Sequence, residues 1–257
     1  MTSTPDPKAA PGARLLLREG VAEKYPDVLT PGALAALEAL APLNRERRRL
    51  MNERIARRAR RFRERRRIEF LDPAAMIART QIKVEDARLG KFDGVEVPKD
   101  LERQWIQGTG PGARPRATLE ASLRNVAYAL LSGADGWMFD GEDALGQVST
   151  MSLDNQRNLR IAFSRAEPFP KVAESVAVEM NAWAKDFLGR EIIPDWKKQL
   201  DFTTRIFRAR GLHLDDRHIR DSDGGGFSAS IVDAVLYVVL NHDALRAEGR
   251  SLVLYLP

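Results

Sequence analysis

Cysteine is absent from the 257 residues, which excludes disulfides, thiolate metal sites and a cysteine nucleophile. No stretch approaches the ~18 consecutive apolar residues of a membrane span. The opening residues, rich in Pro, Ala and polar side chains, lack the hydrophobic core of a secretory signal, and residues 1–29 read as a disordered leader. The closing Leu254-Tyr255-Leu256-Pro257 is not a peroxisomal address, so the expected compartment is the cytoplasm. Histidine is scarce, with three in the chain. His213 and His218 have no acidic ligand at helical spacing, and they read as turn histidines bonded to backbone rather than as a metal pair.

The formal charge of +5 is mild but unevenly spread. From Asn44 to Arg67 the chain carries Arg45, Arg47 to Arg49, Arg54, Arg57, Arg58, Arg60, Arg61, Arg63 and Arg65 to Arg67, interrupted by only three acids, Glu46, Glu53 and Glu64. Met51, Ile55, Ala59 and Phe62 recur at i, i+4, i+8 and i+11, which predicts one long helix with a narrow apolar stripe. Such a face could neutralise phosphates, but Phe62 is its one aromatic, a poor platform for base stacking. The composition therefore argues against nucleic acid. It favours a solvated helix lying over a larger domain, its arginine stems covering apolar surface. Upstream, Thr30-Pro31 is a helix start, a capping hydroxyl followed by proline at the first helical position.

Four strands are expected, at Arg67 to Leu71, Gly136 to Asp140, Arg205 to Arg210 and Leu252 to Leu256. Helices over Thr118 to Leu131, Ala173 to Leu188 and Ile231 to Asn241 separate them, the last opened by a capping-box variant, Ser230-x-x-Asp233. This alternation predicts an α/β fold built of βα units around a parallel sheet.

The chemistry converges on two strand ends. The third strand delivers Arg208 and Arg210 to its C-terminal end, and Gly211 turns the chain. A guanidinium is always charged, and its planar fork suits two oxygens at once. The second strand ends in Asp140, Glu142 and Asp143. These acids cap a helix or end a strand on one reading; on the other they hold the arginine of the neighbouring strand and fix its rotamer.

Arg208-Ala209-Arg210-Gly211-Leu212-His213-Leu214 resembles the Arg-Pro-Arg-Gly-Trp-His-Leu segment of the malate synthases of isoform A type. Asp140-Gly141-Glu142-Asp143 resembles the end of that family's Met-Ala-Asp-Phe-Glu-Asp strand, with Gly141 in place of the aromatic. Thr109-Gly110-Pro111 looks like its Thr-Gly-Pro turn, with Arg114 matching the arginine that follows. Asn155 to Arg160 resembles Gly-Gln-Ile-Asn-Leu-Arg, Ser230 to Tyr237 resembles Ser-Leu-Phe-Asp-Phe-Ala-Leu-Tyr, and the arginine helix resembles the family's N-terminal clasp.

The resemblance implies an Arg-rich helical clasp over residues 30–66, then the first half of a TIM (β/α)8 barrel over residues 67–257. It implies condensation of acetyl-CoA with glyoxylate and water to malate, with Arg208 polarising the aldehyde and Asp140, Glu142, Asp143 and Arg210 in support. The magnesium carboxylates and the general base are expected beyond residue 257, so no metal ligand is assigned in this chain. The expectation is a truncated or split protein, inactive alone, or else a divergent relative in which a second chain completes the barrel. Two alternatives stand beside it: an aldolase like the citrate lyase β-subunit or malyl-CoA lyase, and a non-catalytic module whose arginine helix engages nucleic acid or an acidic partner.

Overall fold

The computed structural model describes residues 15–102, 107–109, 117–141 and 150–256. In chain order the elements are β1 (Leu16–Leu17), α1 (Val21–Lys24), α2 (Pro31–Ala39), α3 (Ala41–Arg63) and α4 (Val84–Arg88), then a short 3-10 turn (Lys99–Leu101), β2 (Gln107–Thr109) and α5 (Leu119–Leu130). There follow β3 (Gly136–Asp140), α6 (Met151–Phe163), α7 (Phe169–Leu188), α8 (Trp196–Phe202) and β4 (Thr204–Arg208). The last are β5 (Asp215–Arg220), β6 (Gly226–Ser228), α9 (Ala229–Ala247) and β7 (Val253–Tyr255).

Local chemistry sets the helix limits. Thr30 caps α2 by accepting from the Ala33 amide at 3.2 Å, with Pro31 in the first turn. Thr118 caps α5 through the Ala121 amide, and Asp195 caps α8 through the amides of Lys197 and Lys198. Gly189, at φ 68°, ends α7 in the left-handed conformation that glycine adopts without penalty.

β2, β3, β4 and β7 form one parallel sheet in chain order. Met138 pairs with Ile206, which pairs with Val253. In register, side chains two apart share a face. Phe139 and Phe207 therefore face the helices, where Phe139 meets Phe163 edge-on at 5.6 Å and Phe207 stacks on Tyr237 at 4.9 Å. With Leu123, Leu130, Phe169 and Val176 they form the larger core. Burial of each such side chain contributes roughly 1.5–3 kcal/mol.

A second core joins the N-terminal segment to an antiparallel sheet of β1, β5 and β6. Val21, Tyr25, Val28 and Leu37 pack there on Ile219, Phe227 and Leu236. Residues 15–29, expected as leader, are thus ordered and contribute fully buried side chains. The apolar spacing of Val21, Tyr25, Val28 and Leu29 fits one turn of helix and a docked loop, and not a solvated tail.

The α/β class holds, but four short strands in an open sheet do not establish half a barrel. Arg67 to Leu71 is not a strand. Ile68, Phe70 and Leu71 are all exposed, and the segment has no ladder partner among the described residues. Apolar composition alone pointed there. The parallel sheet instead begins at Gln107–Thr109.

Candidate functional site

Register brings the site together. Asp140 pairs with Arg208, and Arg208 with Tyr255, so all three end the parallel sheet on the same face. Arg208 Nη1 donates to Asp140 Oδ2 at 3.0 Å, and its guanidinium carbon lies 5.7 Å from the Tyr255 ring centroid. A charge-assisted hydrogen bond on one side and a ring on the other fix the rotamer. Asp140 is buried, while the Arg208 side chain keeps 19% exposure, so that side chain is partly open to solvent.

Gly141 locks the two strand ends. Its amide donates to the Arg208 carbonyl at 2.9 Å. A Cβ there would lie 2.8 Å from that oxygen and 3.1 Å from the Phe207 ring. The glycine that departs from the aromatic of the resembling strand thus occupies a place where β4 leaves no room for a side chain. Glu142 and Asp143 lie outside the described residues, as do the Gly110-Pro111-Gly112 turn and Arg114.

Arg210 does something else. It lies past the end of β4, fully buried, and is clamped by two carboxylates. Its backbone amide and Nε donate to Asp233 Oδ2 at 2.9 and 2.8 Å, and Nη2 donates to Asp233 Oδ1 at 2.6 Å. Nη2 also donates to Asp216 Oδ2 at 2.7 Å. Asp216 Oδ1 in turn accepts from the amides of His218 and Ile219 at 2.7 and 2.9 Å. One guanidinium thereby ties the end of β4 to β5 and α9.

The capping box expected at Ser230-x-x-Asp233 is not formed. Ser228 is the cap, accepting from the Ile231 amide, and Asp233 is a buried partner of Arg210. A Ser-x-x-acid pattern signals a cap only when the acid can reach back along the helix, and here a buried cation competes for it.

The electrostatics follow the geometry. Burial raises the Asp216 carboxyl, but the hydrogen bond from His218 and the Arg210 charge outweigh it and hold the group at about 2. Burial pushes the Asp233 carboxyl up, with Arg210 opposing. Burial also weakens the hold of Arg210 on its proton, yet Asp233 and Asp216 more than compensate, so the cation is held more firmly than in free arginine. At the opposite end of β4, Arg205 is buried over the Phe163 ring and donates to Glu248 at 2.6 Å.

The Asn155 to Arg160 stretch lies in α6 and serves the N-terminal segment. Arg157 and Arg160 both hold Asp27, with Arg157 Nε at 3.0 Å, and Tyr25 donates to Asp154 at 2.6 Å. Burial, reinforced by Asp154, pushes the Tyr25 hydroxyl up to about 12. The same helix reaches the clamp, since Gln156 donates to the Asp233 carbonyl. Tyr255 and Asp216 are site residues that sequence reasoning did not single out, and Asp233 was singled out only as a cap. Tyr255 was findable from the pairing of two predicted strands; the two aspartates were not, because their partner lies beyond a strand end.

Among the described residues no three His, Cys, Asp or Glu side chains are grouped so as to hold a metal ion. Nor is any helix among them long and apolar enough to cross a membrane.

Comparison with known proteins gives a consistent set of relatives. The chain is 27% identical over 251 residues to a malate synthase of Streptomyces clavuligerus, covering 97% of this chain and 40% of that one. It is 29% identical over 233 residues to a malate synthase of Myxococcus xanthus, covering 91% of this chain and 36% of the relative. Against malate synthase A of Escherichia coli it is 27% identical over 161 residues, 63% of this chain and 25% of that one. No family model matches the chain. It therefore spans about two-fifths or less of the length of these relatives, and the relationship supported is a malate synthase-like one.

Proposed function

We propose that this chain supplies the aldehyde-binding arginine of a malate synthase-like acyltransferase, with glyoxylate and acetyl-CoA as substrates. The observation that carries the reading is Arg208, held by Asp140 and Tyr255 at the end of a parallel sheet while its side chain is partly open to solvent. When an enolate attacks an aldehyde carbon, a carbon–carbon bond forms and negative charge gathers on the aldehyde oxygen. A cation already fixed beside that oxygen lowers the barrier without reorganising. Asp140 orients the guanidinium, and Gly141 lets β3 and β4 close to the distance that this requires. Arg210 positions the strand end and does not touch substrate in this reading.

Magnesium belongs to the proposal only through the resemblance. Among the described residues Asp140 is the carboxylate that meets Arg208 at the rim. Completion of a barrel, by further residues or by a second chain, is part of the same proposal.

Calorimetric titration of the protein with glyoxylate tests it. Arg208→Lys keeps the charge but loses the fork, and should weaken binding by at least about tenfold, the low end of what a charged hydrogen bond contributes. The melting temperature should stay within a degree or two, as expected for a partly exposed side chain. Equal affinity in the two proteins would remove Arg208 from the site.

A further inference from the structure

We propose that the outer half of α3, with the chain that folds back after it, is a docking groove for an acidic amphipathic helix of a partner protein. The helix was expected to lie over the domain, and it does so only at its start. Asn44 donates to Asp221 and to the Gly226 carbonyl at 3.0 Å, and Arg47 and Arg48 pair with Asp215 and Asp221. From Arg49 onward the helix leaves the domain. Met51 is still half-buried, but Ile55 is 61% exposed and Phe62 85%, so the outer part of the apolar stripe lies open.

At Arg65, φ 51°, the backbone turns left-handed and the chain reverses. Ile68 comes back beside the helix, and together with Ile55, Ala59 and Phe62 it floors a groove of about 530 Å³. Arg58, Arg61 and Arg66 form its walls. Arg54, Arg57, Arg58 and Arg61 have no ion-pair partner among the described residues, whereas Arg49 satisfies itself on Glu46 and Glu53.

The occupant follows from shape and charge. A second copy of this helix would bring arginine against arginine, which repels. A nucleic-acid backbone would meet the arginines but leave the apolar row wet between them. A bilayer is flat, while the groove is concave, walled on one side by the returning chain. A helix with apolar residues at i, i+3 and i+7 and carboxylates beside them fills the floor and pairs both walls. Charge complementarity would also speed its capture, with a strong dependence on salt.

The 257-residue protein can be titrated with a fluorescent synthetic helix bearing leucines on one face and glutamates flanking them. The controls are the same residues with the leucines scrambled off that face, a DNA duplex, and phosphatidylserine vesicles. Ile55, Arg58 and Phe62 are exposed and Arg61 is half-buried at the helix surface, so neither Ile55→Ser/Phe62→Ser nor Arg58→Glu/Arg61→Glu should move the circular dichroism melt by more than a degree or two. Each pair should weaken the amphipathic probe by at least about tenfold, and the scrambled helix should bind the unaltered protein correspondingly less well. The proposal is overturned if the probe does not bind, if Ile55→Ser/Phe62→Ser leaves its affinity unchanged, or if DNA or vesicles bind more tightly than it does.

Discussion

Replacing Asp233 by alanine separates two readings of one residue by the size of the loss. As the acid of a capping box, Asp233 would contribute about 1 kcal/mol, the ordinary worth of a cap. In the structure it accepts three hydrogen bonds from Arg210, at 2.6, 2.8 and 2.9 Å, in a site closed to water. Its removal leaves a buried guanidinium with Asp216 as its remaining carboxylate. Breaking a buried pair by deleting one member costs about 3–5 kcal/mol, and the surviving Asp216 contact places the expected loss toward the lower figure. In urea, at a slope of about 2 kcal/mol per molar, the midpoint should fall by roughly 1.5 M or more. Two companions sharpen the result. Ser228→Ala, which deletes the observed cap, should cost about 1 kcal/mol. Arg210→Met combined with Asp233→Ala and Asp216→Asn should recover part of the loss, because no unpaired charge stays buried. If Asp233→Ala costs no more than Ser228→Ala, the clamp has been misread and the capping box stands.

Gly141→Ala should destabilise by about 1–3 kcal/mol, the range for forcing an atom into a packed site, and a calorimetric melt equal to that of the parent would refute the close approach of β3 and β4. Lowering the pH should also loosen the protein. The Asp216 carboxyl is depressed in the folded state to about 2 from an ordinary 3.8, so its contribution is present above about 4 and lost as pH falls through about 2. The loss is on the order of 2 kcal/mol. Asp216→Asn should flatten that part of the profile, and an unchanged acid limb would count against the clamp. Glu248→Ala should cost about 3 kcal/mol or more by stranding buried Arg205, whereas Arg205→Met should cost less. Matched urea titrations of the two variants decide the order.

The sheet was legible where periodicity and register agree. Gly136 to Asp140, Arg205 to Arg210 and Leu252 to Leu256 are short apolar runs next to long helical patterns; the first occurs as expected, the second ends two residues early at Arg208, and the third is shorter, Val253–Tyr255. The pairing of Asp140 with Arg208 was one of the two readings open at those oppositely charged strand ends, and it is the one the structure shows. Arg67 to Leu71 failed because three apolar side chains in five residues say nothing about a partner strand, and those side chains are exposed. The antiparallel β5–β6 hairpin was missed because its strands are polar: Asp215 to Arg220 has charged residues at both ends, and Asp216 and His218 are among the side chains it buries, so no apolar alternation marks it. The division of labour between Arg208 and Arg210 could not be read either. It depends on the chain leaving β4 at Arg208, so that two arginines two apart point into different environments.

That division also has a mechanical side. Asn44 grips the β5–β6 turn, Asp216 in β5 grips Arg210, and Arg210 is two residues along the chain from Arg208. From Asn44 to Arg63 the helix extends about 28 Å at its usual rise, most of it unsupported. It is a long handle on a short hinge. The hydrogen bonds of Asn44, Asp216 and Arg210 make a continuous bonded route from its base to the strand end that carries Arg208.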